Sequence, residues 1–238
     1  MAKTDIRKTN TVIINARLAA IAAIPCVLLI AFYASQNALA PTVLAAEGVK
    51  IAAPKAAISE PSGLQVAIFA GGCFWGVEGV YEHSKGVTRV ESGYAGGSKA
   101  DASYDKVSGG RTGHAEAVRL VYDPKKISYN QLLHIFFSVV HDPTQLNRQG
   151  PDKGQQYRSA IFPVTAAQKK AASAYIEQLS VRSPWGAKPV TRIESGTFYA
   201  AENYHQDYMR KNPKDAYIRT YDAPKLISLK RLFPGVYK

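Results

Sequence analysis

Cysteine is scarce in this sequence: 238 residues contain two, Cys26 and Cys73. Cys26 lies in an apolar N-terminal stretch, so the remainder has a single cysteine and cannot build a disulfide framework. One cysteine and five scattered histidines also lack the paired spacing of a metal site. No glycine-rich nucleotide fingerprint follows a predicted strand, so the sequence predicts no bound redox cofactor.

Long runs of like charge are absent as well. The formal net charge is +12, but the lysines and arginines are spread along the chain and never form a run of five or six. We therefore interpret them as a solvated surface and predict that the protein does not bind nucleic acid.

Residues 1–46 have the order of a secretory signal. Basic residues precede an apolar stretch at 18–34, and small residues follow it, which predicts cleavage near Ala45 or Ala46. The apolar stretch is also just long enough to span a bilayer, so an uncleaved membrane anchor is the alternative. Both alternatives place the remainder outside the cytoplasm, and we predict a periplasmic protein.

The rest of the chain reads as a linker and one domain. Residues 47–63 are rich in alanine and proline and predict a flexible tether. Residues 64–238 alternate strand and helix patterns, which predicts an α+β fold: a single-domain, two-layer sandwich with helices covering a mixed sheet. The predicted strands are 64–70, 87–94, 115–122, 158–163 and 189–195, the helices are 75–84, 128–140, 165–181 and 199–211, and the loops are 95–113 and 142–156.

The run Gly71-Gly72-Cys73-Phe74-Trp75-Gly76 places Cys73 at a predicted strand-to-helix turn. Unpaired N–H groups and the helix macrodipole favour a thiolate there. A buried structural thiol is the alternative, because free cysteine is among the most buried residue types. A core cysteine needs neither a tight turn nor adjacent aromatic rings, so we predict a reactive thiol.

Three further features suggest partners for this thiol. Glu116 begins a predicted strand among apolar neighbours, where a carboxyl group has a raised pKa and can act as a general acid. A solvent-facing edge glutamate is the alternative. The second feature is Tyr104 in the predicted loop at 95–113, and the third is the segment 151–159, which contains Tyr157 and follows on from the predicted loop at 142–156. Binding residues gather in long loops, and a phenol can donate a hydrogen bond without carrying charge. With 14 tyrosines in the chain, packing is the competing interpretation for each.

Taken together, these segments resemble a known family. The residues that carry the resemblance are the run at 71–76, Gly93-Tyr94-Ala95-Gly96-Gly97, residues 112–118, residues 155–159 and residues 201–206. In this order they are similar to peptide methionine-S-sulfoxide reductases, the A-type enzymes. The likeness extends from about Val66 to the C-terminus.

The resemblance implies thiol-dependent reduction of methionine-S-sulfoxide, free or in oxidised proteins, to methionine. Attack on sulfur requires stabilisation of the charge growing on the sulfoxide oxygen, and it leaves the cysteine as a sulfenic acid. The implied roles are Cys73 as nucleophile, Glu116 as proton donor, Tyr104 and Tyr157 as hydrogen-bond donors to the oxygen, Asp152 as polar support, and Phe74 and Trp75 as the wall for the methyl group.

The C-terminal residues 213–238 depart from the family pattern, because they contain no cysteine where many members carry resolving cysteines. We therefore predict that an external thiol, either a small one or a thioredoxin-like protein, attacks oxidised Cys73 directly. The predicted function is repair of oxidised proteins outside the cytoplasm by a monomer.

Two other functions remain open at the level of sequence. A cysteine hydrolase would pair Cys73 with a base such as His114, His141 or His205. It fits poorly, since an apolar run follows Cys73 and the acid is a carboxyl group. A non-enzymatic, basic, exported binding domain would carry an inert thiol.

Overall fold

The computed structural model describes residues 48–56 and 58–238. The predicted signal or anchor at 1–46, with Cys26, lies outside these residues. Within the described ranges, no helix is long and apolar enough to cross a membrane.

The centre of the described domain is a six-stranded mixed sheet. In chain order the strands of the domain are β1 (Gln65–Gly71), β2 (Val87–Ala95), β3 (Ala115–Tyr122), β4 (Arg148–Gln149), β5 (Asp152–Lys153), β6 (Ser159–Ile161), β7 (Arg192–Ile193) and β8 (Phe198–Ala200). The strand order in the sheet is β7-β6-β1-β3-β2-β8, and every neighbouring pair is antiparallel except β6 and β7. The two very short strands β4 and β5 form a separate hairpin.

Helices precede, connect and follow these strands. The helices are α1 (Phe74–Glu82), α2 (Tyr104–Val107), α3 (Tyr129–Ile135), α4 (Ala166–Val181), α5 (Tyr208–Lys211) and α6 (Ala223–Leu232). Side-chain caps explain where two of them begin: Gln131 N–H donates to Ser128 Oγ before α3, and Gln168 N–H donates to Thr165 Oγ1 before α4. The π-helical segment Phe136–Val140 extends α3, and a second one, Ile218–Asp222, leads into α6.

Alternate residues of β1 point to two apolar clusters, as the two-residue period of a strand requires. Ala67 and Phe69 belong to the main core, which also contains buried residues of α1, α3 and α4. Ile68 and Ala70 belong to a smaller cluster built mostly from alanine. The predicted α+β fold, with one domain and a mixed sheet covered by helices, is confirmed.

The predicted helix at 199–211 is wrong. The chain there forms β8, a 3-10 turn at Asn203–His205 and the single turn of α5. Glu202 accepts hydrogen bonds from Tyr94 Oη–H at 2.8 Å and from Tyr104 N–H at 2.9 Å. Asp207 adopts φ 58°, which no helix continues through. These contacts with distant segments override the local helical pattern.

Other element boundaries shift for similar reasons. The predicted loop at 142–156 contains the β4-β5 hairpin, the predicted loop at 95–113 contains α2, and the predicted strand at 189–195 shortens to β7. The π-helical end of the predicted helix 128–140 also has no sequence signal, because it differs from an α-helix only in its hydrogen-bond spacing.

The segment before β1 has neither helix nor strand among its described residues, but it lies against the domain. Val49 N–H donates to the Ser138 carbonyl at 2.7 Å, and Tyr122 Oη–H donates to Glu60 at 2.6 Å. Ile51 is buried in the main core. The sequence predicts a flexible tether here; the contacts show that its described part is docked rather than free.

Candidate active site

Cys73 lies between β1 and α1, at the predicted strand-to-helix turn. Gly72 makes the turn with φ 95°, and a Cβ there would approach the Gln149 side chain to 2.6 Å. Only glycine meets both conditions without strain. The thiol is free but only 9% exposed.

Glu116 reaches the start of α1 from the sheet. It lies in β3 opposite Tyr94 of β2, and its Oε2 accepts a hydrogen bond from Phe74 N–H at 3.0 Å. The residue is 2% exposed, so the alternative of a solvent-facing glutamate is wrong. Burial raises the pKa of Glu116 to about 8, against the smaller opposing effect of the Phe74 N–H. The group therefore carries a proton at neutral pH, as a general acid must.

The environment of the thiol differs from the prediction. Burial, followed by the negative charges of Glu116 and Asp222, raises the pKa of Cys73 well above its ordinary value. The Trp75 N–H and the Lys225 ammonium lower this pKa, but they are weaker causes. A helix N-terminus is thus not sufficient to produce a resting thiolate in a buried site, and Cys73 rests as a thiol.

Tyr104 and Tyr157 lie near this thiol, and Asp152 lies near both phenols and Glu116. Tyr104 begins α2, Tyr157 ends a 3-10 turn at Gln155–Tyr157, and Asp152 begins β5. Burial and then the charge of Glu116 raise the pKa of both phenols, and the Cys73 sulfur acts on both in the same direction. Both phenols therefore stay protonated and can donate hydrogen bonds at neutral pH. Burial also raises the pKa of Asp152.

An aromatic wall stands beside Cys73. The half-buried Trp75 ring stacks on Tyr208, with centroids 3.7 Å apart and an interplanar angle of 9°. Its Nε1–H donates to His205 Nδ1 at 3.1 Å, and Tyr217 meets it edge-on at 6.1 Å. These contacts hold one face of the site apolar and rigid.

Phe74 contributes to this wall from the core side. Its ring is 1% exposed and packs against Tyr94 and His205, with centroids 5.9 Å and 5.0 Å away. Phe74 therefore supports Trp75 in this structure, and the contact with substrate predicted for Phe74 remains a prediction.

The sequence interpretation missed the C-terminal residues of the site. Asp222 is fully buried, and Lys225 Nζ lies 2.9 Å from its Oδ1. Tyr217 Oη–H donates to Asp152 Oδ2 and so joins this segment to β5. One signal was available: Pro224 at the start of α6 is typical of a first helical turn, although it says nothing about where that helix packs.

The histidines proposed for a cysteine hydrolase are engaged elsewhere. His114 accepts from Gly97 N–H at 3.1 Å, His141 contacts Ser159 Oγ at 2.6 Å, and His205 accepts from Trp75. Among the described residues, none of them hydrogen-bonds the Cys73 sulfur, so the hydrolase alternative lacks its base. The same part of the chain contains no group of three or more acidic, histidine or cysteine side chains suited to a metal.

Comparisons with known proteins bear on this geometry. The sequence model of the family described as "Peptide methionine sulfoxide reductase" matches residues 65–233. The chain is 57% identical over 176 residues to Peptide methionine sulfoxide reductase MsrA 2 of Mesorhizobium japonicum, covering 74% of this chain and 90% of that protein. It is 50% identical over 177 residues to the protein of the same name from Synechocystis sp., covering 74% and 83%.

Solved structures agree with these sequence matches. The reduced form of Mxr1 from Saccharomyces cerevisiae is similar with a TM-score of 0.60 and 39% identity, covering 66% of this chain and 91% of that one. Methionine sulfoxide reductase A of Corynebacterium diphtheriae is similar with a TM-score of 0.56 and 32% identity, covering 70% and 85%.

Proposed function

The chain belongs to the peptide methionine sulfoxide reductase family, and we propose that it reduces the S epimer of methionine sulfoxide, free or in oxidised proteins, through the thiol of Cys73. Reduction of methionine sulfoxide is an oxidoreductase reaction. The observation that carries the proposal is the meeting of a buried thiol and a buried, proton-bearing carboxyl group at one helix N-terminus.

We assign to Glu116 the protonation of the sulfoxide oxygen. Its Oε2 is taken by the Phe74 N–H, and no donor among the described residues contacts its Oε1. We assign the proton to Oε1, where it can be shared with an incoming sulfoxide oxygen. Tyr104 and Tyr157 donate further hydrogen bonds to that oxygen, and Asp152, held by Tyr217, supports the same pocket.

The oxygen transfer balances without a bound cofactor. The Cys73 sulfur attacks the sulfoxide sulfur and forms an S–S bond, while Glu116 protonates the sulfoxide oxygen. The resulting hydroxyl group then moves to the Cys73 sulfur: the S–O bond of the substrate and the S–S bond break as a new S–O bond to Cys73 forms. The thiol proton of Cys73 replaces the one that Glu116 gave up. The substrate sulfur gains two electrons and leaves as methionine, and Cys73 loses two and becomes a sulfenic acid.

The aromatic wall selects the substrate. Trp75 offers an apolar ring face to the methyl group, while the oxygen must point toward Glu116. If the methyl group, the oxygen and the attacked sulfur each have one fixed place in the site, only one configuration at the substrate sulfur presents its oxygen to the acid. This arrangement supports preference for one epimer, and the resemblance of the sequence to A-type enzymes makes it the S epimer.

An external thiol completes the cycle. Cys73 is the only cysteine of the described residues, so no second thiol of this part of the chain can attack the sulfenic acid. One external thiol displaces water to form a mixed disulfide with Cys73, and a second releases the Cys73 thiol as the external disulfide forms. A thioredoxin-like protein or a small thiol supplies both.

We also propose that this reaction takes place outside the cytoplasm. The support is the signal-like order of residues 1–46, either cleaved or retained as an anchor at 18–34. Intact-mass measurement of protein recovered from its native host tests this: loss of about 45 residues indicates cleavage, whereas a full-length mass together with a soluble cytoplasmic fraction contradicts export.

The central experiment tests the activity, its stereochemistry and the oxidised intermediate. Reduction of each epimer of methionine sulfoxide by the protein is measured first with dithiothreitol as reductant and then with thioredoxin-like proteins. We expect turnover of the S epimer only. One turnover without reductant should add one oxygen to Cys73 by peptide mass spectrometry; a disulfide between Cys26 and Cys73 at that stage would contradict the external-thiol step.

A further inference from the structure

The C-terminal segment places a charge pair against the helix that begins after Cys73. Asp222 is fully buried, and Lys225 is 12% exposed, with 2.9 Å between Nζ and Oδ1. A Cβ built on Gly76 would lie 2.0 Å from Asp222 Oδ1 and 2.5 Å from Lys225 Nζ. The pair therefore lies directly on the first turn of α1, and Gly76 leaves room for it.

Three acidic groups thus meet at one helix N-terminus. The Phe74 N–H donates to Glu116, the Trp75 N–H interacts with the Cys73 sulfur, and Asp222 lies at Gly76. A helix N-terminus carries a partial positive charge of about half a unit, so these groups share a limited favourable field. The Lys225 ammonium adds a full positive charge at the same place.

One atom of the pair is incompletely satisfied. Asp222 Oδ2 is buried and has no hydrogen-bond partner among the described residues. A buried ion pair is weak evidence for stability, because desolvation of both charges offsets their attraction, and an unpaired buried oxygen adds to the cost. A role in the reaction gives a reason for this charge to lie beside a nucleophile.

We propose that Asp222 and Lys225 are positioning residues of the reaction: together they place one negative and one positive charge at the N-terminus of α1 and so determine how readily Cys73 loses its proton. This inference rests on the proposed function of Cys73 as the nucleophile. It gives the C-terminal segment, which lacks a resolving cysteine, a different part in the chemistry.

The directions of the electrostatic effects agree with this assignment. The Asp222 charge raises the pKa of Cys73, and the Lys225 charge lowers it. Lys225 also opposes the rise that burial causes in the pKa of Asp222, so the two members of the pair are linked. Among the described residues, other titratable groups interact electrostatically with Cys73: Glu116 from β3, Tyr104 from α2, Tyr157 from the 3-10 turn at Gln155–Tyr157, Tyr208 from α5, and Tyr217. Asp152 from β5 acts on Glu116.

The test is the pH dependence of Cys73 alkylation by iodoacetamide, followed by mass spectrometry of the peptide that contains Cys73. At pH values below the midpoint of this curve, the alkylation rate is proportional to the fraction of Cys73 present as thiolate, since only the thiolate reacts. We expect Asp222→Asn to increase the rate at neutral pH about tenfold, the effect of a one-unit shift from a nearby charge. Adding Lys225→Met to Asp222→Asn should reverse much of this gain, because Asp222 carries no charge in either protein.

One conservative variant and one variant of a matched pair serve as controls. Lys225→Arg keeps the positive charge, so the alkylation of Cys73 should have the same pH midpoint as in the wild-type protein. Lys126→Met removes the lysine of an exposed pair with Asp123 that has the same spacing in the sequence, and it should change nothing. Circular dichroism and thermal unfolding establish folding; if Asp222→Asn is unfolded, Asp222→Ser removes the same charge and repeats the measurement.

The outcomes are distinct. An alkylation rate for the neutral Asp222 variant within twofold of wild type, or below it, overturns the inference. So does an unchanged rate when Lys225→Met is added. Alkylation requires no sulfoxide, so a wild-type protein that fails to reduce methionine sulfoxide contradicts the proposed function alone, whereas normal reduction with unshifted alkylation contradicts this inference alone.

Discussion

Two regions of the molecule bring a buried carboxyl group to the same helix N-terminus. The sheet side, residues 65–122, contributes Glu116, and the C-terminal side, residues 198–238, contributes Asp222. Among the residues that the structure describes, Glu116 has one backbone donor and no cationic partner, and burial raises its pKa to about 8. Burial also raises the pKa of Asp222, but Lys225, with its Nζ 2.9 Å from Asp222 Oδ1, opposes this rise. A cationic partner therefore makes a buried carboxyl group give up its proton more readily than burial alone would allow.

Removal of the Cys73 thiol, on which both carboxyl groups act, should have the largest effect. Cys73→Ser should abolish sulfoxide reduction, because a hydroxyl cannot accept oxygen as a thiol does, while Glu116 and Asp222 remain in place. The measurement is turnover of methionine-S-sulfoxide with dithiothreitol, with thermal unfolding as the control for folding. Residual turnover above the uncatalysed rate in a correctly folded Ser variant would contradict Cys73 as the nucleophile.

Glu116→Gln tests the proton-storing member of the comparison. We expect kcat/KM to fall by about 10²–10⁴-fold, the usual contribution of a positioned general acid. The wild-type rate should decline as the pH rises through about 8, where Glu116 loses its proton, and the Gln variant should lose this decline. Glu177→Gln, on the exposed face of α4, is the control. If the reduction rate of Glu116→Gln declined at alkaline pH as the wild-type rate does, Glu116 would be excluded as the proton donor.

The same carboxyl group should make stability depend on pH. The pKa of Glu116 is raised from 4.5 to about 8 in the folded state, so the folded protein binds more protons than the unfolded chain between these values. Its contribution to the free energy of unfolding is complete below about 4.5 and is lost as the pH rises through about 8. The free energy of unfolding, measured with urea at several pH values in this window, should fall less steeply with pH for Glu116→Gln than for wild type. The same slope for both proteins would contradict the raised pKa of Glu116.

The two regions also differ in how far sequence predicts them. The predicted strand at 115–122 coincides with β3, since its apolar pattern is bounded by Gly113 and Asp123, and the resemblance to the family assigned Glu116 there. The predicted helix at 199–211 failed because Glu202 bonds to residues about a hundred positions away. The pattern of apolar residues along the sequence predicts a strand that is buried in the core, but it does not predict a segment whose conformation is set by long-range polar contacts.

Asp222 and Lys225 were beyond sequence reasoning for a related reason. A helical spacing of three residues predicts that they can pair, but many such pairs lie in solvent, as Asp123 and Lys126 do. What makes the pair significant is its contact with Gly76, nearly 150 residues earlier. The resting state of Cys73 was mispredicted on the same ground, because burial depends on the whole fold while a helix N-terminus can be recognised locally.

Gly76→Ala tests whether the C-terminal side depends on close approach to α1. Alanine normally stabilises a helix relative to glycine by about 1 kcal/mol. Here its Cβ would meet Asp222 Oδ1 at 2.0 Å, so we expect a net loss of about 1–3 kcal/mol in the free energy of unfolding. Gly235→Ala is the control, because nothing lies within 4 Å of a Cβ there. A Gly76→Ala variant as stable as wild type would show that the charge pair does not pack on this turn.

Trp75→Phe should have the smallest effect on the protein. It tests whether His205 of the C-terminal side orients the Trp75 ring in the aromatic wall. The phenyl ring can keep the stack on Tyr208 but cannot donate to His205, a neutral hydrogen bond of about 0.5–1.5 kcal/mol. We therefore expect KM for the sulfoxide to rise about 2–10-fold with kcat little changed. The indole N–H can donate only to an unprotonated His205 Nδ1, and burial lowers the pKa of His205. The difference in KM between the Phe variant and wild type should therefore persist at neutral pH and shrink in acid, where His205 becomes protonated. Trp185→Phe, after α4, controls for a general loss of indole, and an equal rise of KM in that variant would remove the special role of Trp75.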